Sequence, residues 1–306
     1  MEIDYRFEHV SGTSADSMYT IGVRFDAQYV HHDAQECWCI HIENAVKAHI
    51  SCGNASWYTG VWAAPSGEAF ISDASGVVFR RSSPDQPWAT DSIGPSLQGV
   101  WGLRPDLVLA WAGPDEKLFR WDGATWSPMA HPGGWIRAIQ GTAADLLYAV
   151  GHDGLARWDG TAWTRVPCPP TRLTALAVAS PQQIFAAGPG GELLEGSEHG
   201  MSKLLQHDGE IFSLAWWRDA LWVGSDMGLC KLVDGRLEVI KDNIVKAYAL
   251  DGRGDLLICE PHRIVATRDG AKFPGSSVKG FARFCAGNAA LWAPTTPIDY
   301  DHGDDP

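Results

Sequence analysis

The chain has 306 residues, among them 33 glycines, 18 prolines and 15 tryptophans, and a formal net charge of −13. That charge weighs against non-specific binding to nucleic acid, whose phosphates demand a basic surface, and against docking on anionic lipid; it would attract a basic protein partner. No apolar run approaches the roughly 18 residues needed to cross a bilayer, and abundant Gly and Pro without a sustained apolar helical stripe point to short strands joined by turns.

The first residues, Met1-Glu2-Ile3-Asp4-Tyr5-Arg6-Phe7-Glu8, lack the basic and apolar segments of a secretory signal. Seven cysteines at irregular spacing fit reduced thiols better than a disulfide framework. A cytoplasmic location is the expectation. Residues 1–57 are irregular, with strand-like runs at 4–10, 18–25, 37–42 and 46–51. In the third run Cys37, Cys39 and His41 alternate, which puts them on one face of a strand, with His31 and His32 nearby. Adjacent side chains on one strand reach a tetrahedral centre poorly, so these are weak metal candidates, and a buried half-strand with Trp38, Ile40 and Ile42 facing the other way is the simpler reading. No metal and no cofactor are expected.

From Gly60 a repeat emerges. Arg120-Trp121-Asp122-Gly123-Ala124-Thr125-Trp126 returns, displaced by 37 residues, as Arg157-Trp158-Asp159-Gly160-Thr161-Ala162-Trp163. Each copy reads as strand, turn, strand, and a lone hairpin is marginal in water, so copies must pack on one another. Repeats run over 60–88, 99–126 and 136–163, and three more begin near 174, 212 and 246. A glycine of the last hairpin recurs at Gly123, Gly160, Gly196, Gly235 and Gly270, and one of the middle turn at Gly154, Gly191 and Gly228. Asp122, Asp159, Asp234 and Asp269 invite a calcium reading, but Asp-Gly is a preferred two-residue turn. Trp121, Trp126, Trp158 and Trp163 read as packing between repeats, with indole N–H groups finding backbone acceptors, rather than as a carbohydrate platform. Residues 280–284 and 289–293 match the first two strands of a further repeat, whose other two the N-terminal region can supply; 299–306 is an acidic tail of the kind usually disordered.

Four strands per 35 to 40 residues, in six complete repeats plus one shared, describe an all-β, seven-bladed β-propeller of four-stranded antiparallel blades. N-terminal and C-terminal strands would share one blade, which leaves no free sheet edge and makes residues 1–298 a single domain. The repeats resemble the Trp-Asp-Gly-x-x-Trp class of bacterial propeller repeats and are similar in style to kelch and tectonin blades over residues 60–293. That resemblance implies the fold; propellers of this kind serve as enzymes, lectins and protein-binding scaffolds alike.

In such a ring the middle turns and the connections between blades lie on one face, where variable loops carry binding. The candidates there are Asp73, Asp115, Glu116, His152, Asp153, Asp226, Met227, Glu260 and His262 in middle loops, with Trp135, His207, Asp208 and Asp242 in connections. No catalytic motif is recognisable, although a propeller would gather catalytic residues from several blades, so activity stays open with a non-catalytic role favoured. The expectation is a monomeric, cytoplasmic protein-binding propeller that engages a basic protein through an acidic face, one version being a bacterial immunity protein that neutralises a toxin. A lectin or glycan-active enzyme using the central pocket is the alternative, and an oligomerisation module is a third.

Overall fold

The computed structural model describes residues 3–26, 36–43, 47–54, 56–113, 117–169, 172–277 and 297–298. Every regular element among them is a β-strand. The strands form seven antiparallel sheets, six of four strands and one of five, and the chain is an all-β, seven-bladed β-propeller. Numbered in chain order, blades 2 to 7 span residues 58–92, 97–129, 136–166, 175–206, 211–241 and 249–277.

Blade 1 takes four strands from the N-terminal region alone: Ile3–Ser14, Ser17–Asp26, Glu36–Glu43 and Lys47–Asn54. Pro297 and Ile298 pair with His49 and Ala48 as a fifth strand. The two ends of the chain thus share a sheet, as expected, but the sharing differs: the C-terminal strand is added outside four N-terminal ones instead of completing two. Strands of 12 and 10 residues without a Trp-Asp-Gly signature disguise this blade in the sequence. The candidate strands at 280–284 and 289–293, and the acidic tail at 299–306, lie outside the described residues.

Strand periodicity explains how blades pack. Successive side chains point to opposite faces, so a blade within one unit can send one set to the neighbour on either side. In the third strand of blade 1, Trp38, Ile40 and Ile42 join Leu257, Cys259 and Ile264 of blade 7, while Cys37 and Cys39 join Tyr58, Val61 and Ile71 of blade 2. In blade 5, Ile184 and Ala186 pack with Tyr148 and Val150 of blade 4, and Phe185 and Ala187 with Leu214 and Leu221 of blade 6.

The chain divides into two compact units, Met1–Ser92 with Tyr248–Pro306, and Ile93–Ala247. In the first, polar clasps add to the apolar seams. Arg253 of blade 7 donates to the Ala63 carbonyl of blade 2 (2.9 Å) and the Ser11 hydroxyl of blade 1 (2.8 Å), and pairs with Asp251. Buried Arg81 donates to the Tyr19 hydroxyl and the Pro84 carbonyl, with its guanidinium 4.9 Å from the Tyr19 ring centre and 4.8 Å from that of Trp88. Such cation–π contacts compensate a buried charge that pairs with no carboxylate among the described residues.

In the second unit Trp121 and Trp158 are buried, their rings 5.6 Å from those of Trp126 and Trp163 in the same hairpin; the expected packing between repeats is made by Trp158 and Trp163, which join Leu109, Trp111 and Leu118 of blade 3. Trp163 Nε1 donates to the Ala130 carbonyl at 2.8 Å. The Asp-Gly loops are longer than expected, because Trp121 pairs with Trp126 and Trp158 with Trp163, leaving four residues between. The Asp159 carboxylate caps its loop, accepting from the Thr161 and Ala162 N–H groups at 2.8 Å each, and Gly160 supplies the positive φ of 96° that lets the chain reverse. Asp122 and Asp269 do the same in their own loops. Only Asp234-Gly235 is a two-residue turn, with Val233 paired to Arg236 and both φ values positive. Gly196 is not a turn residue; it lies within Glu192–Ser197, opposite Met201, and the reversal falls at Glu198 and His199.

The caps carry a pH signature. The Thr161 hydroxyl, then the Ala162 and Thr161 N–H groups, hold the Asp159 carboxyl down to about 2. A lowered carboxyl adds stability that is complete above its unfolded value near 3.9 and is lost as pH falls through the folded value. Asp159→Ala is therefore expected to lower the denaturant midpoint at pH 6, and the gap from the parent chain should close as pH approaches 2. A gap of equal size at both pH values would remove the cap from the account.

Candidate binding surface

The first strand of each blade begins beside the turn between its second and third strands, so connections and middle turns gather at one end of each sheet. In blade 4, Ile136 pairs with Gly151, and the His152 N–H donates to the Trp135 carbonyl at 3.1 Å. The next connection arrives at the same place, where the Leu173 N–H donates to the Gly151 carbonyl at 2.9 Å. Blade 6 repeats the arrangement, with the Asp226 N–H donating to Glu210 and the Lys246 N–H to Ser225.

At blade 4 the structure brings together three residues that the sequence singled out. Trp135 is 40% exposed and stacks on His152, ring centres 5.5 Å apart. Asp153 accepts from Arg165 at 2.7 Å, through both its carboxylate and its carbonyl. The connection presses onto this turn so closely that a Cβ at Gly134, whose φ is +64°, would lie 2.7 Å from the Asp153 carboxyl carbon. A shallow cleft, barely roomy enough for a water molecule, opens between the connection and the sheet, walled by Pro132, Trp135, Ile136, Asp153 and Arg165.

Sequence reasoning missed the arginines here. Arg137 places its guanidinium carbon 5.8 Å from the Trp135 ring centre. Burial first, and then the Arg172 charge, lower its pKa from the ordinary arginine value. Residues 131–174 hold four arginines against three aspartates, and two of those aspartates, Asp145 and Asp159, meet at the far end of the blade beside Gly160. Arg157 pairs with Glu198, and the charged residues of this segment at the loop end of blade 4 are Arg137, Arg165 and Arg172 with Asp153, a local grouping that the net charge of −13 does not show. A charge count blade by blade would have shown it.

At blade 6, buried His207 shares a 2.7 Å hydrogen bond between its Nε2 and Asp226 Oδ1, which holds the Asp226 carboxyl below its usual range and ties the connection to the turn. Met227 is 42% and Val245 41% exposed beside it, and Asp208 and Asp242 are exposed. Between blades 4 and 6, the middle turn of blade 5 is Gly188-Pro189-Gly190-Gly191, with proline as its only side chain.

The remaining candidates fall in the other unit or outside the described residues. Asp73 is buried, its carboxylate accepting from the Ser75 and Val77 N–H groups at 2.9 Å each. Glu260 is buried against Arg263, 2.6 Å away, and His262 is exposed. Asp115 and Glu116 are not among the described residues. Cys37, Cys39 and His41 do share one buried face, where His41 stacks on Tyr19 at 4.6 Å and its Nε2 lies 3.0 Å from the Ser17 hydroxyl. Burial pushes the Cys37 thiol up to about 12 and raises Cys39 as well, which disfavours the thiolate a metal needs. Among the described residues no group of three or more His, Cys, Asp or Glu is placed to hold a metal ion; His31 and His32 lie outside them.

No protein-family model and no curated protein matches the chain. Solved structures do. The WD40 β-propeller domain of Doa1 is 10% identical with a TM-score of 0.65, over 96% of this chain and 97% of that one. YCF48 bound to the D1 peptide is 12% identical with a TM-score of 0.63, over 87% of this chain and 94% of that one. YCF48 from Cyanidioschyzon merolae is 11% identical with a TM-score of 0.61, over 88% and 94%. These likenesses show the propeller fold alone. The Trp-Asp-Gly repeat type and the kinship with kelch and tectonin blades remain a resemblance of sequence.

Proposed function

We propose that this chain is a non-catalytic binding propeller whose loop end, in residues 93–247, receives a segment of another protein. One observation carries the reading. Of the four large hydrophobic side chains exposed among the described residues, Trp135, Met227 and Val245 belong to connections and middle turns of this unit, while Val239 lies on an outer strand. Exposed apolar groups gathered on loops of a rigid frame mark interaction sites, and a few buried anchors supply most of the affinity of an interface. The low Gly-Pro-Gly-Gly turn of blade 5 leaves room for a chain between the anchors of blades 4 and 6. The fold has a precedent in YCF48, solved with the D1 peptide bound.

Selection from a displayed library of random peptides tests this directly. Peptides that bind the parent chain are expected to lose affinity at least tenfold against Trp135→Ala or Met227→Ser. They should bind normally to Arg236→Ala, at the opposite end of blade 6. Peptides indifferent to Trp135 and Met227 would contradict the reading.

A further inference from the structure

We propose that Cys39 and Cys52 are a disulfide-forming pair, oxidised by a low-molecular-weight disulfide to a cross-strand bond that staples the third strand of blade 1 to the fourth. The inference is independent of the binding reading and concerns the other unit of the chain. Its first ground is register. Cys39 and Cys52 are directly opposite each other in the antiparallel ladder between Glu36–Glu43 and Lys47–Asn54. Opposite residues in such a ladder have Cα atoms about 4.5–5.5 Å apart and side chains on one face. That separation falls inside the range of about 4.4–6.8 Å that a disulfide spans. Cys37 lies on the same face but is opposite Asn54; the diagonal from it to Cys52, about 7–8 Å, is too long for the bond.

Its second ground is the setting of the two thiols. Cys39 is buried, and Cys52, half-buried, packs against the same cluster, which blade 2 covers with Tyr58, Phe79 and Trp88. The Cys52 Sγ lies 3.1 Å from the Tyr58 hydroxyl. Both cysteines are reduced, and burial raises the pKa of each, so the closed seam holds them as protonated thiols. The thiolate is the attacking species, so exchange runs when the seam opens locally. Cys52, the more accessible of the two, loses its proton and attacks one sulfur of the oxidant, releasing the other half as a thiolate. Cys39, deprotonated in turn, attacks the Cys52 sulfur of the mixed disulfide and expels the second thiolate. The two cysteines together give up two electrons, and the oxidant is reduced to two thiols that take up the two protons.

Incubation of the full chain with oxidised and reduced glutathione, in urea below the unfolding midpoint, tests this. Remaining thiols are blocked with N-ethylmaleimide and the chain is digested without reduction. Mass spectrometry should find the peptide that carries Cys39 joined to the one that carries Cys52, and fragmentation between Cys37 and Cys39 should place the bond on Cys39. The link is expected to survive Cys37→Ala and to vanish in Cys52→Ala. The oxidised parent should unfold at a higher urea concentration than the same chain kept in reductant, because the bond restricts the unfolded chain, and Cys52→Ala should show no such difference. Recovery of both cysteines as maleimide or glutathione adducts, or of Cys52 joined to Cys37, would overturn the proposal.

Discussion

Phe185→Ala is expected to destabilise the fold by about 3–5 kcal/mol, the range for emptying a fully buried aromatic site. Phe185 is 1% exposed in the seam between blades 5 and 6, where it touches the cluster of Ala175, Ala177, Leu214, Leu221 and Val223 and stacks on Trp216 at 5.8 Å with planes 12° apart. Several of these neighbours are alanines, which cannot extend into the vacated space. The strand that carries Leu221 and Val223 is laddered on both sides, and those that carry Ala175, Ala177 and Leu214 on one; in a close-packed seam these neighbours collapse only partly and the cavity persists. Phe185→Leu keeps most of the volume and should cost less than half as much. Equilibrium unfolding in urea measures both; a loss below about 1 kcal/mol for the alanine variant would mean that the seam is looser than its burial implies.

Gly151→Ala is expected to damage the proposed site without touching a residue that contacts the partner. A Cβ there would lie 1.8 Å from the Trp135 carbonyl oxygen, a backbone atom that cannot swing aside. The connection must lift, which breaks the 3.1 Å hydrogen bond from the His152 N–H and displaces the indole from its stack. Overpacking of this kind costs about 1–3 kcal/mol, occasionally more. The expected result is a moderate loss of stability together with loss of peptide binding comparable to that of Trp135→Ala. Full binding in a folded Gly151→Ala chain would show that the placement of the 131–135 connection is irrelevant to recognition.

How much could be read from the sequence depended on how regularly each blade announces itself. Blades 3 and 4 carry Trp on both sides of an Asp-Gly loop, so their boundaries were legible to within three residues. The loop class was not, because an Asp side chain that caps a four-residue loop and an Asp in a two-residue turn leave the same letters behind. Blade 1 supplied all four of its strand runs to the eye and was still undercounted, since it lacks the tryptophan and glycine register that would have joined them into one repeat. Gly196 was assigned to a turn by register alone, whereas the chain reverses at Glu198 and His199 without glycine.

The site divides in the same way. Trp135, His152 and Asp153 stand in segments that read as loops, and topology alone put them on one end. Arg137 and Arg165 stand in strands, Ile136–Ala143 and Trp163–Val166, and nothing local marks them as loop-end residues. They converge only when the antiparallel pairing brings the beginning of the first strand and the end of the fourth to the same turn. The net charge concealed them further, by averaging a local grouping of arginines into an acidic chain.

Amide hydrogen exchange on the full chain, with and without a selected peptide, is the most direct measurement of where the partner sits. The loop-end account predicts slowed exchange at 131–137, 151–154 and 172–174, extending to 188–191 and 226–228. Protection confined to 122–125 and 159–162, at the opposite end of the same sheets, would contradict it.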